Sequence, residues 1–285
     1  MKNNNLIAPA WPDYELIDSG NNRKLERFGA YKVIRPEPQA IWRALRPERW
    51  KHADAEFSFS GSKGNWKKKN LPDEWTISVG DMKAALKPTN FKHVGIFPEQ
   101  VPNWQWICEC VRHLRSPRVL NLFGYTGIAS IAAARAGAIV THVDASKQAN
   151  TWAKFNAGLS KIPDGHIRYI TDDALKFVER EFRRGSIYEG VILDPPAFGR
   201  GPKGEVWRIE ENFSRLIDAV KKLIRPSRGS FFLLNGYAAG YSSRSFSQAV
   251  EEYFPTGESE FGELNIEEAG SKRLLTSGIY ARVVL

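Results

Sequence analysis

The chain has 285 residues, of which 42% are hydrophobic and 26% charged, as is ordinary for a soluble globular protein. No apolar run approaches the ~20 residues that a membrane-spanning helix needs, and the N-terminus MKNNNLIAPAWPDYE lacks the apolar core of a secretory signal. Cys108 and Cys110, the only cysteines, offer no disulfide framework at C-x-C spacing, so we expect a cytoplasmic protein without membrane contact. The net charge of +9 weakly suggests a polyanionic partner.

Residues 1–95 concentrate the basic and aromatic side chains. They hold 17 Lys and Arg against 11 Asp and Glu, a net +6, and five of the nine tryptophans. This combination suits single-stranded nucleic acid, because cations meet phosphates and flat rings meet bases. A small domain with a Trp-filled core and a solvated basic surface explains the composition equally well.

Short β-like runs broken by Gly, Asn and Pro predict that residues 1–95 form a small β-rich domain. The stretch GSKGNWKKKN, residues 61–70, is predicted to be an exposed loop. It supplies four candidates for contact with a nucleic-acid backbone: Trp66, Lys67, Lys68 and Lys69. A solvated loop is the commoner explanation of such a charged run.

Residues 96–285 are predicted to form a doubly wound, mostly parallel α/β sheet. VPNWQWICECVRHL predicts a helix, and strands then alternate with helices of 10–15 residues. The strands are RVLNLF, IVTHVDAS, HIRYITDDA, VILDPP and SFFLLNG; the helices are GIASIAAARAGA, KQANTWAKFNAGLS, LKFVEREFRRG, FSRLIDAVKKLI and SFSQAVEEYF. The runs ESEFGELNIEEAG and LLTSGIYARVVL predict an antiparallel pair at the sheet edge, giving seven strands in all.

Three successive strands end in residues suited to a nucleoside. The first runs into Asn121-Leu-Phe-Gly124-Tyr-Thr-Gly127, the second ends in Asp144, and the third in Asp172 and Asp173. Ligands of open parallel sheets bind beyond the carboxyl ends of the strands. Each aspartate alone is as often a helix cap, but together they favour an adenosine cofactor. A nicotinamide dehydrogenase is disfavoured because the loop is not G-x-G-x-x-G.

The fourth strand ends in VILDPPAFGR, which places Asp194, Pro195, Pro196 and Phe198 at the same edge. The prolines fix φ, so a carboxylate and backbone carbonyls point outward in a set geometry and can accept hydrogen bonds from an amino or ring N–H group. Phe198 is placed to stack on a base drawn out of its helix. The structural alternative is a rigid turn that caps the next segment.

The ordered set NLFGYTG, VDAS, TDDA and DPPAF resembles the class I S-adenosylmethionine-dependent methyltransferases. More closely it is similar to the bacterial 23S ribosomal RNA large-subunit cytosine and guanine methyltransferases, over roughly residues 90–285. FKHVGIFPEQVPNW resembles their segment before the first strand, and RLLTSGIYARVVL resembles the final strand of related members. The resemblance implies a Rossmann-like methyltransferase sheet and S-adenosylmethionine as the cofactor.

By that resemblance, residues 123–127 flank the methionine moiety, Asp144 holds the ribose, and Asp172 or Asp173 meets the adenine. The full set of cofactor-binding candidates is Gln100, Asn103, Asn121, Phe123, Gly124, Tyr125, Thr126, Gly127, Asp144, Ala145, Asp172 and Asp173.

The chain departs from the cytosine-C5 members of this group. They use a cysteine just after the fifth strand as a covalent nucleophile, whereas this chain reads LLNGYAAGYSS, with Asn235 as a substrate-binding candidate. Cys108 and Cys110 precede the first strand and are expected to pack as small apolar residues. Direct transfer to a nitrogen or oxygen is therefore expected. Residues 1–90 do not match the RNA-binding domain of those enzymes.

Three functional hypotheses remain open. The leading one is a methyltransferase acting on a base of RNA, ribosomal RNA first, with residues 1–95 presenting the substrate. The second keeps the cofactor and moves the methyl group to a protein amide or a small molecule. The third is a non-catalytic RNA-binding protein with the same fold. The five histidines are scattered, so no metal is expected, and the oligomeric state is left open.

Overall fold

A computed structural model describes residues 1–61, 63–237 and 240–285. Its strands are β1 (Lys2–Asn3), β2 (Leu6–Ala8), β3 (Tyr14–Gly20), β4 (Arg23–Phe28), β5 (Tyr31–Pro36), β6 (Ala55–Ser60), β7 (Lys63–Lys68), β8 (Trp75–Val79), β9 (Met82–Leu86), β10 (Arg118–Leu122), β11 (Ile139–Asp144), β12 (Ile167–Thr171), β13 (Gly190–Leu193), β14 (Phe198–Arg200), β15 (Val206–Arg208), β16 (Phe231–Gly236), β17 (Glu258–Glu267) and β18 (Leu274–Val284). Its α-helices are α1 (Pro47–Trp50), α2 (Val101–Arg112), α3 (Ile128–Arg135), α4 (Lys147–Leu159), α5 (Ala174–Arg183), α6 (Ile209–Lys221) and α7 (Ser243–Tyr253), and a 3-10 turn spans Pro98–Gln100.

The largest sheet has the order β1-β17-β18-β16-β13-β10-β11-β12, and β2 pairs with β17. Strands β10 to β13 and β16 are parallel neighbours, and β18 runs antiparallel to β16. The four residues of β13 are all buried, as expected for a strand covered on both faces. The sequence predicted seven strands, but the described residues form nine, because β1 and β2 add beside β17.

The chain divides into two compact units. The first unit comprises residues 1–6, 102–263 and 278–285; the second comprises residues 7–101 and 264–277. The division along the chain at 101/102 lies six residues beyond the boundary that the sequence suggests at 95/96. The second unit also takes in a stretch near the C-terminus, which a division of the chain into two consecutive segments does not include.

The second unit is β-rich, with a five-stranded sheet in the order β3-β4-β5-β6-β7 and a separate β8-β9 pair. The predicted exposed loop at residues 61–70 is wrong, since residues 63–68 form β7, paired antiparallel with β6; Ser62 lies outside the described residues. The lysines obscured the strand, because Lys is depleted in strands generally but common on edge strands, where it discourages pairing with other chains.

Helix caps fix how α4 and α5 leave their strands in the first unit. The Ser146 hydroxyl accepts from the Ala149 N–H at 3.2 Å, and the Asp173 carboxylate accepts from the Lys176 N–H at 2.9 Å. These are the side-chain types that satisfy the first free N–H groups of a helix. Among the described residues, no helix is long and apolar enough to cross a membrane.

Candidate active site

The site lies at the carboxyl ends of the parallel strands in the first unit. Strand β10 sits between β13 and β11, with Leu122 paired to Leu193 on one side and to Val143 on the other. The chain continues from β10 towards β11 and β12 in one direction, whereas β13 and β16 lie in the other. This reversal makes the crevice at which doubly wound sheets bind ligands. The glycine loop and Asp194 follow β10 and β13 directly, and Asp144 is the last residue of β11.

The loop after β10 has an unusual backbone. Phe123, Tyr125 and Gly127 have φ values of 58°, 49° and 84°, and the first two are uncommon for residues with a Cβ. The Gly124 N–H donates to the Val143 carbonyl at 3.1 Å, and the Gly127 N–H donates to the Gly124 carbonyl at 3.0 Å. Such strain persists where the surroundings hold it, as at ligand sites. The hydrogen bonds tie this loop to the end of β11.

Asp144 receives two backbone hydrogen bonds. Its Oδ2 accepts from the Tyr125 N–H at 2.9 Å, and its Oδ1 accepts from the Ser146 N–H at 2.8 Å. Ala145 lies between Asp144 and Ser146 in sequence. Burial raises the pKa of the Asp144 carboxyl, and the two N–H donors oppose that rise. Each carboxylate oxygen has a further lone pair that can accept a ribose hydroxyl. The chemistry of this residue therefore fits a nucleoside.

A buried polar chain lies beneath the glycine loop. The Asn121 Nδ2 donates to the Ser130 Oγ at 2.8 Å, and that hydroxyl lies 2.9 Å from the His142 Nδ1. A Cβ on Gly124 would collide with the His142 ring. Burial lowers the pKa of His142 to about 4, so the imidazole is neutral. Asn121 thus supports the loop from below, and Thr126 is buried beside it.

The two aspartates after β12 differ in their partners. Asp173 caps α5, as already described, whereas Asp172 forms an ion pair with Arg180 and accepts the Asp173 N–H at 2.9 Å. The Asn150 Nδ2 joins the ends of β11 and β12, since it donates to the Asp144 carbonyl and to the Thr171 hydroxyl at 3.1 and 2.9 Å. The acidic ends of these strands are thereby held together.

The Asp-Pro-Pro corner follows β13. The Asp194 N–H donates to the Leu122 carbonyl at 3.4 Å, Pro195 is buried, and Pro196 is exposed. The Pro196 carbonyl accepts from the Trp207 Nε1 at 2.7 Å. The Trp207 ring also packs on Phe123, with 5.0 Å between centroids. Trp207 therefore joins the corner to the glycine loop.

Sequence reasoning missed Trp207, Ser130 and His142. Trp207 stands in β15, one strand of a short hairpin with β14 that no apolar run indicated. The one signal for His142 was a polar ring inside the apolar run IVTHVD. Phe198, predicted to stack on substrate, opens β14 and is 53% exposed.

Asn235 is buried at the end of β16. Its Oδ1 accepts from the Asn103 Nδ2 at 2.9 Å, and the Asn103 Oδ1 accepts from the Arg282 Nη1 at 3.0 Å. Arg282 in turn forms an ion pair with Glu260. A predicted cofactor residue and a predicted substrate residue thus share one buried network. Ala238 and Ala239, in the segment LLNGYAAGYSS after β16, lie outside the described residues.

The remaining predicted residues belong to the second unit. Gln100 is buried in the 3-10 turn, where its N–H donates to the Phe97 carbonyl at 3.0 Å. The Trp66 ring packs on Phe57 with 5.2 Å between centroids, and its Nε1 donates to the Thr89 carbonyl at 2.8 Å. Lys67, Lys68 and Lys69 are exposed.

Both thiols are poor nucleophiles in this environment. Burial raises the pKa of Cys108 above its usual value and that of Cys110 to about 12, which leaves both protonated at neutral pH. The Cys108 Sγ donates to the Ala132 carbonyl at 3.3 Å. In the part of the chain that the structure describes, no three His, Cys, Asp or Glu side chains are grouped to hold a metal ion.

A doubly wound sheet with a strained glycine loop, an acidic second strand end and an Asp-Pro-Pro corner defines a nucleoside-binding α/β protein of the methyltransferase type. The family model described as S-adenosylmethionine-dependent methyltransferase matches residues 51–249. The chain belongs to this family. The predicted family and the predicted cofactor, S-adenosylmethionine, are both confirmed.

A solved S-adenosylmethionine-dependent methyltransferase from Agrobacterium tumefaciens is 40% identical, with a TM-score of 0.92 over 100% of this chain and 97% of that one. A putative methyltransferase from Streptococcus mutans shares the fold, with a TM-score of 0.73 over 96% of this chain and 75% of that chain, at 13% identity.

Curated relatives share the sequence in part. The ribosomal RNA large subunit methyltransferase K of Neisseria meningitidis is 31% identical over 76% of this chain and 63% of its own length. The ribosomal RNA large subunit methyltransferase K/L of Hahella chejuensis is 34% identical over 64% of this chain. This chain spans only about a quarter of that K/L protein, 24% of its length.

Proposed function

We propose that this protein transfers a methyl group from S-adenosylmethionine to a base of RNA, ribosomal RNA first, in the cytoplasm. The observation that carries the proposal is the Asp-Pro-Pro corner, which follows the strand next to the glycine loop and is tied to that loop by Trp207. The names of the curated relatives support an RNA acceptor. The net positive charge of the chain supports it too.

The cofactor site comprises the loop and the strand ends around it. Residues 123–127 flank the methionine moiety, Asp144 accepts the ribose hydroxyls, and Asp172 or Asp173 meets the adenine amino group. Asp173 caps α5 and Asp172 pairs with Arg180, so the two remain alternatives for this role. Asn121, Thr126 and Ala145 shape the loop, and Asn103 completes the set within the first unit; the assignment of Gln100, which belongs to the second unit, stays a prediction.

Asp194 and the Pro195 and Pro196 carbonyls orient an amino or ring N–H of the target base, and Phe198 stacks on that base. The cofactor supplies an electrophilic methyl group on a sulfonium. Asp194 accepts a hydrogen bond from the attacking group, which aligns its lone pair and takes up developing positive charge. The step needs no thiol, in keeping with the protonated state of both cysteines. Asn235 is near the end of β16, the strand that pairs with β13, and contributes through its buried network.

The distribution of charge along the chain suggests which part binds the substrate and which part transfers the methyl group. Residues 1–95 form a substrate-binding domain, with Trp66, Lys67 and Lys68 on its edge strand β7 and Lys69 directly after it, and residues 96–285 form the methyltransferase domain. Seven of the nine strands, β10 to β13 and β16 to β18, correspond to the methyltransferase sheet, with the C-terminal pair as its antiparallel edge.

The test is transfer of labelled methyl from S-adenosylmethionine to undermethylated ribosomal RNA, transfer RNA and a protein extract, offered in parallel. We expect label in ribosomal RNA, and nuclease digestion then identifies the base. Label only in protein contradicts the RNA proposal and supports an amide acceptor. RNA binding without methyl transfer to any acceptor contradicts catalysis and supports a binding protein of the same fold.

A further inference from the structure

The hairpin β14–β15 follows the Asp-Pro-Pro corner directly and has two unlike faces. Its register pairs Phe198 with Arg208, Gly199 with Trp207, and Arg200 with Val206. Because side chains alternate along a strand and paired residues point the same way, four side chains share one face. We call this the outer face of the hairpin: Phe198, Arg200, Val206 and Arg208. Trp207 is on the inner face.

The inner face holds the hairpin in place. Trp207 is buried, donates to the Pro196 carbonyl at 2.7 Å and packs on Phe123. The Ile209 N–H donates to the Ala197 carbonyl at 3.1 Å, which closes the base of the hairpin. The outer face is therefore a fixed surface beside Asp194.

The outer face combines an exposed ring with cations. Phe198 is 53% exposed and Val206 is 49% exposed, and both arginines are exposed. The Arg200 Cζ lies 6.0 Å from the centroid of the Phe198 ring, and Arg208 is the direct cross-strand partner of Phe198. Flat rings for bases with guanidinium groups for phosphates are the elements of single-strand recognition.

The two nearby carboxylates, Glu205 and Glu211, do not cancel the positive charge of this face. The Glu205 carboxylate accepts hydrogen bonds from the Lys176 Nζ at 2.7 Å and from the Lys203 N–H at 2.8 Å. These donors lower the pKa of Glu205 to about 2. The Glu211 Oε1 lies 3.3 Å from the Arg208 Nη1, but both side chains are exposed. Ion pairs at the surface contribute little free energy, so Arg208 can leave Glu211 for a phosphate. Arg200 has no ion-pair partner among the residues that the structure describes.

We propose that the outer face of the hairpin is an RNA-backbone site, at which Arg200 and Arg208 contact the phosphates on either side of the base that stacks on Phe198. The occupant is single-stranded RNA. This inference rests on the proposed function and extends it, because it assigns backbone contacts within the methyltransferase unit itself, separate from the lysines of β7.

The binding test uses a fluorescent single-stranded oligoribonucleotide of about 12 nucleotides, near the upper site size of small single-strand modules. The variant Arg200→Gln/Arg208→Gln is compared with the control Arg115→Gln/Arg228→Gln. The control removes the same charge from exposed positions that precede β10 and β16, at the opposite edge of the sheet. Anisotropy gives Kd at several salt concentrations.

We expect the hairpin variant to weaken binding roughly tenfold and to flatten the slope of log Kd against log salt by about 1.4, since each single-strand phosphate contact contributes about 0.7. The control is expected to lower affinity by less than about twofold, because only non-specific long-range attraction is lost. Affinity for S-adenosylhomocysteine and the thermal midpoint serve as folding checks and should match the wild type.

Substitution at Phe198 tests the stacking half. Phe198→Leu removes the ring and should weaken binding roughly 5- to 100-fold, whereas Phe198→Trp keeps a flat surface and should stay within about threefold of the wild type. Equal losses in both variants would show that a flat ring at this position does not maintain binding, and would overturn this part of the proposal.

Methyl transfer to the RNA pools, measured alongside, separates the two proposals. If the wild type methylates RNA and the hairpin variant loses affinity and salt dependence relative to the control, the hairpin site is supported. If the wild type methylates RNA but hairpin variant and control bind alike, the hairpin site is overturned and the proposed function stands. If the wild type neither binds nor methylates any RNA, both fail, and label in protein then identifies the other acceptor class.

Discussion

Asp194 is the residue on which the proposed chemistry depends. Its place after β13 puts a carboxylate next to the glycine loop, where it can align an amino or ring nitrogen for attack. Replacing Asp194 with Ala should lower kcat roughly 100-fold or more, because alignment and electrostatic stabilisation of the transition state are lost together. Affinity for S-adenosylhomocysteine, measured by titration calorimetry, should change by less than about threefold. A change of that size is smaller than the loss of one hydrogen bond to a charged group would cause. Full activity in this variant would remove the corner from the mechanism.

Substitution of Asp144 should lower the affinity for the cofactor, whereas substitution of Asp194 should lower kcat. Its carboxylate is the acceptor assigned to the ribose and also holds the Tyr125 and Ser146 N–H groups. Asp144→Ala should weaken S-adenosylhomocysteine binding roughly 10- to 100-fold, the range for a lost charged hydrogen bond. Asp144→Asn keeps the shape and one acceptor and should lose less. Unchanged affinity in the Ala variant would exclude Asp144 from the cofactor site.

His142 predicts a pH dependence of stability. Burial lowers its pKa in the folded chain to about 4 from the usual 6.5. The unfolded chain therefore takes up this proton first as pH falls, and the free energy of unfolding should decrease between about pH 6.5 and 4, by on the order of 3 kcal/mol in total. Above pH 6.5 and below pH 4 this contribution is flat.

The check is urea unfolding of the wild type and of His142→Asn across that window. The other titrating groups, including His93 with its pKa near 3, are common to both proteins and cancel in the difference. The stability advantage of the wild type should shrink as pH falls. A difference that stays constant with pH would show that His142 does not titrate as its burial implies.

At the scale of elements, the hairpin β14–β15 connects the two loops of the site. Trp207→Phe removes the N–H that donates to the Pro196 carbonyl and keeps a ring near Phe123. We expect kcat to fall roughly tenfold, as for one buried hydrogen bond, with cofactor affinity within about twofold. Trp207→Leu also loses the ring contact, so cofactor affinity should fall as well. Steady-state kinetics with S-adenosylhomocysteine titration distinguish the two effects.

The elements that sequence predicted well are those whose burial is uniform. The apolar runs ending at Leu122, Asp144 and Leu193, with amphipathic or alanine-rich helices between them, led to the parallel strands with nearly the right bounds. Strand β7 and the hairpin β14–β15 were missed for the opposite reason. Their residues are largely exposed and charged or glycine-rich, so register with a neighbour, rather than an apolar pattern, makes them strands.

The candidate site was predictable to the same extent. Residues that end parallel strands could be found in sequence, because every such end reaches the same edge. Sequence could not show which of Asp172 and Asp173 would cap α5, or that Asn121 would turn inward to Ser130. Those outcomes depend on side-chain directions and on partners distant in the chain, such as His142 and Trp207.

At the scale of the whole molecule, the second unit is completed by residues 264–277, which are distant in sequence from the rest of that unit. Ser19 donates to Glu268 from its N–H at 3.0 Å and from its hydroxyl at 2.7 Å, and Arg273 donates to the Arg43 carbonyl at 2.9 Å. Leu264, Ile266 and Leu275 are fully buried in this stretch. A cut at the boundary suggested by sequence therefore separates residues 264–277 from the rest of their unit.

A chain beginning at Ile96 should consequently be aggregation-prone, because those apolar side chains lose their partners and become an exposed patch. Replacing residues 264–277 in that shortened chain with an Asn-Gly turn between Glu263 and Gly278 should restore solubility, since such a turn joins paired strands directly. Size-exclusion chromatography compares the two. Equal behaviour as monomers would show that residues 264–277 do not depend on the second unit.

The first unit has a related feature, with its own consequence. Strand β1 pairs with β17, and the Tyr280 hydroxyl donates to the Asn4 carbonyl at 2.7 Å, so segments far apart along the chain lie in one sheet. Nascent chains usually complete their N-terminal domains while synthesis continues. Here β1 has no partner strand until β17 has been synthesised, and the second unit lacks residues 264–277 until the same stage. Both units are therefore completed late in synthesis, after residues 258–284 have left the ribosome.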